Sequence, residues 1–321
     1  MKPNITRDLL YSVARHSNWR EGSMEAKLRS TNIYASTRDW ASFVRLLLLG
    51  TGAGFVVAGI VFFFAYNWAD MHKFVKLGLL EVLILLLACA ILFSKLSTGI
   101  KNMLLTGSAL LVGVLFAVFG QIYQTGANAY DFFMGWTACI ALWVVVSRFP
   151  PLWLIFLALA NTTLMLYAQQ VAVHWPFAVL LDLLFIVNAS AVVVWEALTL
   201  KGKISALSRW FPRVVCLAAV TAITISMIAN IFDSFQQDWG LCFLLVVAGY
   251  TAGMWHGRRT HDLFYLSVIP FSGIVVAASF IARLVEFAPE LMVLLACLFV
   301  IGSTTLLVRH IIHTNHKWHG Q

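Results

Sequence analysis

Charge is what this sequence has least of. Lysine, arginine, aspartate and glutamate make up only 11% of the 321 residues, against 61% apolar side chains. A soluble domain carries about a quarter charged residues, so that class is excluded and the bilayer is the solvent. Cysteine numbers five: Cys89, Cys139, Cys216, Cys242 and Cys297. They fall on five different apolar stretches with no disulfide or metal spacing, and are read as small packing residues. The chain also lacks a Walker loop, a dinucleotide glycine pattern after a strand, H-E-x-x-H and G-x-S-x-G. No cofactor is therefore expected. An aromatic and basic groove is missing too, and with it the case for nucleic acid. The first 42 residues contain neither a spanning run nor the apolar core and small-residue cleavage site of a secretory signal.

What is present is a series of apolar runs. A spanning helix needs about 20 mostly apolar residues, and ten such stretches occur, near 43–66, 74–93, 103–121, 132–148, 151–168, 175–198, 212–231, 239–255, 263–282 and 290–309. The predicted fold is all-α, a polytopic transmembrane helix bundle of ten spans. It divides into a cytoplasmic amphipathic N-terminal segment (1–42), a transmembrane domain (43–309) and a cytoplasmic His-rich tail (310–321). Ten spans split into five and five, a plan that admits an inverted repeat, although the two halves show no letter-by-letter similarity.

Small residues recur four apart: Gly50, Gly54 and Ala58; Ala109, Gly113 and Ala117; Ala218, Ala222 and Ser226; Gly249, Gly253 and Gly257. Stripes of this kind let helices approach closely. They favour packing within one chain and would equally serve a homo-oligomer seam.

The net charge of +8 follows from orientation. With the N-terminus inside, 19 lysines and arginines lie on the inner face, and only Lys73, Lys76 and Arg283 lie outside. The positive-inside rule then makes both termini cytoplasmic. Anionic lipid heads are the natural partner of that basic face.

The stretch GVLFAVFGQIYQTGANAYDFFMGW, residues 113–136, together with GIVFFFAYNW at 59–68, resembles the bacterial membrane proteins grouped as the domain of unknown function 2157 (DUF2157). The resemblance extends from the N-terminal segment through most of the helices. It implies a polytopic membrane fold and no activity.

Ionisable groups inside spans are costly, and are functional candidates for that reason. Glu81 and Asp182 each lie seven residues into their spans from the outer side, roughly 10 Å deep at 1.5 Å per residue. If their helices are neighbours, the two carboxylates could share a proton, bind a cation or hold a polar solute. Gln121, Tyr123, Gln124 and Asp131 would line the outer mouth, with Asn67 at the end of the first span. The alternative is that each carboxylate is a structural group, hydrogen-bonded for instance to Asn161 or Asn188. Glu196, near the inner end of its span, should snorkel toward Lys201 or Lys203. His310, His313, His316 and His319 fall three apart and drift about 60° per step, so they cannot share one helical face as a metal site.

Three functions fit. The first is a permease or small-solute-binding protein with an outward-facing polar site. The second is a non-transporting scaffold or subunit that binds membrane-protein partners through the small-residue stripes and the N-terminal segment. The third is an intramembrane enzyme acting on a lipid-linked substrate.

Overall fold

A computed structural model describes residues 36–66, 71–124, 126–202, 209–233, 239–284 and 289–319. The N-terminal amphipathic segment, most of which precedes residue 36, and Asn67 lie outside the described residues. Among the described residues ten helices follow one another: α1 (Thr37–Tyr66), α2 (Lys73–Phe93), α3 (Thr98–Tyr123), α4 (Ala129–Ser147), α5 (Pro150–Gln170), α6 (Phe177–Leu200), α7 (Trp210–Phe232), α8 (Trp239–Thr260), α9 (Leu263–Leu284) and α10 (Pro289–His319). All ten carry a stretch long and apolar enough to cross a membrane. Among the described residues there is no strand. The protein is a membrane-embedded, all-helical protein with multiple spans.

Local chemistry sets where the helices begin. At α1, Ser36 and Asp39 form a reciprocal capping box. The Asp39 carboxylate accepts from the Ser36 amide at 2.8 Å and the Ser36 hydroxyl at 2.7 Å, and the Asp39 amide donates back to Ser36 Oγ at 3.2 Å. His72 Nδ1 accepts the Phe74 amide at the start of α2. Pro150 and Pro151 open α5, where a missing N–H costs nothing. α10 continues as one helix through His310, His313 and His316.

The chain forms two compact units, Met1–Leu115 and Phe116–Gln321. The boundary falls inside α3, so the five-and-five division is not the division into units. In the first unit, α1, α2 and α3 surround an apolar cleft of about 310 Å³ bordered by Gly52, Leu83 and Gly107. Gly50 and Gly54 of α1 meet no atom within 4 Å.

The second unit holds the larger core. α7 packs against α6 and α9, α4 against α5, and α9 against α8 and α10. Phe185, Ala219, Ala222, Ile223 and Cys242 form one buried cluster. Cys216, Val220, Tyr265 and Ile269 form another. On α7 the inward small-residue stripe is Ala219, Ala222 and Ser226, whereas Ala218 is exposed. The α8 stripe faces its own chain: a Cβ on Gly249 would meet Phe185 of α6, one on Gly253 would meet Ile269, and one on Gly257 would meet Tyr265 of α9. Close packing within one chain therefore accounts for these glycines. All five cysteines are free.

Candidate functional site

Asp182, on α6, is buried at 3% exposure and lies five residues past the start of its helix. Its Oδ1 accepts the Ser226 hydroxyl of α7 at 2.6 Å. Ser226 also lies 3.4 Å from Cys242 Sγ, and Asn230 donates to the Ser226 carbonyl at 3.0 Å. The carboxylate thus belongs to a buried polar knot joining α6, α7 and α8. Asn161 and Asn188 pair instead with each other, through two amide bonds of 3.1 Å between α5 and α6.

Glu81 differs from Asp182 in two respects. It is exposed, and it lies eight residues into α2, which begins at Lys73. At 1.5 Å per residue the two carboxylates sit about 12 Å and 7.5 Å from their helix starts. Glu81 belongs to the first unit and Asp182 to the second.

Gln121, Tyr123 and Gln124 are exposed at the end of α3. Gln124, with φ 42°, and Gly126, with φ 64°, turn the chain in the left-handed region. Asp131 caps its own helix by accepting the Asn128 amide at 3.2 Å. Beside it the Tyr130 amide donates to Gln170 Oε1 at 3.1 Å, and the Tyr130 ring meets Tyr167 edge-on at 5.4 Å. The stretch is a hairpin between α3 and α4, tied to the end of α5.

A cavity lies elsewhere in the second unit, toward the helix ends that carry Arg209, Arg213, Arg258 and Arg259. α6, α7, α8 and α9 enclose an apolar chamber of about 370 Å³. Phe185, Val192, Cys216, Val220 and Ile269 are among its walls. A polar annex of about 330 Å³ adjoins it, bordered by Arg209, Thr199, Thr260 and Asp262. Glu196, Leu200, His256 and Tyr265 line both spaces. Glu196 Oε1 stands 3.7 Å from His256 Nε2 of α8; Lys203, one of the two lysines toward which it was expected to reach, lies outside the described residues.

The annex is built on the turn between α8 and α9. Asp262, 4% exposed, receives a fork from Arg213: Nε to Oδ2 at 3.3 Å and Nη2 to Oδ1 at 3.0 Å. Arg209 adds a contact at 3.5 Å, and Asp262 Oδ1 accepts the Phe264 amide at the start of α9. Trp153 meets Trp195 and Phe211 edge-on nearby, and the Trp195 and Phe211 rings are tilted against each other with centroids 4.4 Å apart.

Two tyrosines in the chamber differ in one respect. The Tyr250 hydroxyl is satisfied by Ser272, with Thr224 at 3.5 Å. The Tyr265 hydroxyl, on a residue only 3% exposed, has no hydrogen-bond partner among the described residues. Its ring is held edge-on to His256 at 5.1 Å.

Sequence inspection missed this site. Glu196 and Asp262 were legible as charges near span ends, but nothing in the letters around Tyr265 distinguishes it from a packing aromatic.

Residues 20–153 match the model of the family described as Predicted membrane protein (DUF2157). That is the family which 59–68 and 113–136 resemble. The match ends near the start of α5, short of most of the helices, and the chamber lies beyond it. No curated protein and no solved structure matches the chain.

Proposed function

We propose that the protein is a permease-type or solute-binding membrane protein whose binding centre is the chamber between α6 and α9. The observation that carries this is the apolar chamber of about 370 Å³ itself, with Glu196 and His256, 3.7 Å apart, on its lining. Chambers of a few hundred cubic ångströms, mostly apolar with a few convergent polar groups, are what small-molecule sites look like. The cation distribution supports cytoplasmic termini in an inner membrane, which puts the chamber in the cytoplasmic half.

Cys216 supplies the test, because its thiol lines the chamber while Cys242 is fully buried in a packed core. Of two variants, each retaining one of these cysteines, the Cys216 protein should react with N-ethylmaleimide at least tenfold faster. Equal, slow labelling of both would mean that the chamber is closed and the proposal wrong.

A second, outward site is supported by Asp182, the buried carboxylate held by Ser226. It retains Gln121, Tyr123, Gln124 and Asp131 of the same unit as candidate partners for a proton or a polar solute. Asp182→Asn keeps an oxygen for Ser226 but loses the titrating group. In proteoliposomes under a potassium-diffusion potential, proton uptake reported by an internal dye should fall at least tenfold. Flux equal to that of the unaltered protein would sink this second site.

A further inference from the structure

We infer that the ligand of the chamber is a lipophilic cation, an ammonium-type head on an apolar body, with the head against the Glu196 carboxylate and a proton on His256 as its competitor. The inference rests on the chamber being a binding site and adds the class of ligand.

The sign of the charge follows from which carboxylate already has its cation. Asp262, in the annex, accepts the Arg213 fork at 3.0 and 3.3 Å and has Arg209 at 3.5 Å. Arg209 borders the annex and not the chamber, and it also reaches the Thr260 carbonyl. Glu196 has no such arrangement. Its side chain is 24% exposed, it accepts no hydrogen bond from the described residues, and the basic group beside it is His256 Nε2, at 3.7 Å. That separation is beyond a hydrogen bond, and a neutral imidazole brings no countercharge.

Among the described residues that line the chamber, Glu196 and His256 are the two whose side chains carry charge near neutral pH. With His256 neutral, the chamber is an apolar space with one negative charge on its wall. A charge among apolar groups is costly until a partner meets it. A cationic head supplies that partner, and Val192, Val220 and Ile269 are among the walls that take the apolar body, in about 370 Å³. An anion would meet the carboxylate with the wrong sign. A neutral head would leave it unmatched.

His256 makes the site respond to pH. It faces Glu196 from α6 and the Tyr265 ring from α9, and it shares the cavity walls with the Cys216 thiol of α7 and with Arg209 and Asp262 of the annex. Arg258 and Arg259, on its own helix, are exposed. Histidine changes charge between about pH 5 and 8. An imidazolium 3.7 Å from Oε1 is the cation that the carboxylate lacks, so a bound cation is held best above that range and is released as pH falls through it.

The test uses the full chain in dodecylmaltoside micelles, with Cys216 as the one retained cysteine, and reads how far three probes slow its reaction with N-ethylmaleimide. The probes share a phenylbutyl body and differ in head: trimethylammonium, hydroxyl and sulfonate. At pH 8 the trimethylammonium probe should half-protect Cys216 at a concentration at least tenfold below the other two. Glu196→Gln should erase that advantage to within about twofold, and Glu196→Asp, which keeps the charge, should retain most of it. At pH 6 the half-protecting concentration of the cation should rise at least fivefold, and in His256→Gln it should not. Protection is a ratio taken at one pH, so the thiol's own titration cancels, and the micelles are the same for every variant, so partitioning cancels between them.

Protection by the alcohol or the sulfonate at the cation's concentration or below would overturn the ligand class, whatever the variants do. An advantage that survives in Glu196→Gln would overturn the place of the head. No rise at pH 6, or a rise that persists in His256→Gln, would overturn the competing proton. If Cys216 reacts tenfold faster than Cys242 while no probe protects it, the chamber stands and the cation fails. If Cys216 is as slow as Cys242, both fail.

Discussion

Arg213→Ala should destabilise the second unit by about 2–4 kcal/mol, read as an earlier midpoint of SDS unfolding in dodecylmaltoside micelles. Removing one partner of a buried ion pair costs about 3–5 kcal/mol, because the remaining charge is left buried. Asp262 satisfies that condition at 4% exposure, while Arg213 is 42% exposed and Arg209 can move toward the vacated carboxylate. Those two facts bring the expected effect below the full penalty. Arg213→Lys retains the charge and loses the planar fork, so it should show about half the loss. Arg209→Ala, at 49% exposure and with 3.5 Å contacts to the Asp262 carboxylate and the Thr260 carbonyl, should show under about 1 kcal/mol. An Arg213→Ala midpoint no lower than that of Arg209→Ala would mean that the fork does not hold the α8–α9 turn.

The same turn shows how far the letters carry. Helix positions were readable because each span is a run of apolar residues of nearly fixed length, and the ten expected runs recur as ten helices. Ends were less readable where a helix continues into polar sequence. α10 runs through the histidines, and α1 begins at Thr37 because Ser36 and Asp39 cap it. Asp182 stood out as a carboxylate in an apolar run, but its partner did not. Ser226 lies 44 residues away and reads like any small residue in a stripe. Tyr265 was invisible for a stronger reason. Its significance is the lack of a hydrogen bond, and only the packing of four helices defines that.

Glycines on α8 connect the packing to the chamber. Gly253 lines the chamber, and a Cβ there would come within 2.3 Å of Ile269 Cδ1. The opposing atom is the end of a flexible side chain, so alanine can be accommodated by a rotation of Ile269, at a cost under about 1 kcal/mol. Leucine cannot. Gly253→Leu puts a branched side chain into space bounded by Ile269, Val220 and Tyr265, and overpacking of this kind costs about 1–3 kcal/mol. It also removes the apolar volume that a ligand would occupy, so maleimide labelling of Cys216 should fall at least tenfold in the same variant. Ile269→Ala clears the opposing atoms. In the double variant the two stability losses should sum to more than is observed, with a coupling of about 0.5–3 kcal/mol, and Cys216 should become accessible again. Additive losses with Cys216 still closed would place the leucine outside the chamber and separate the α8 glycines from it.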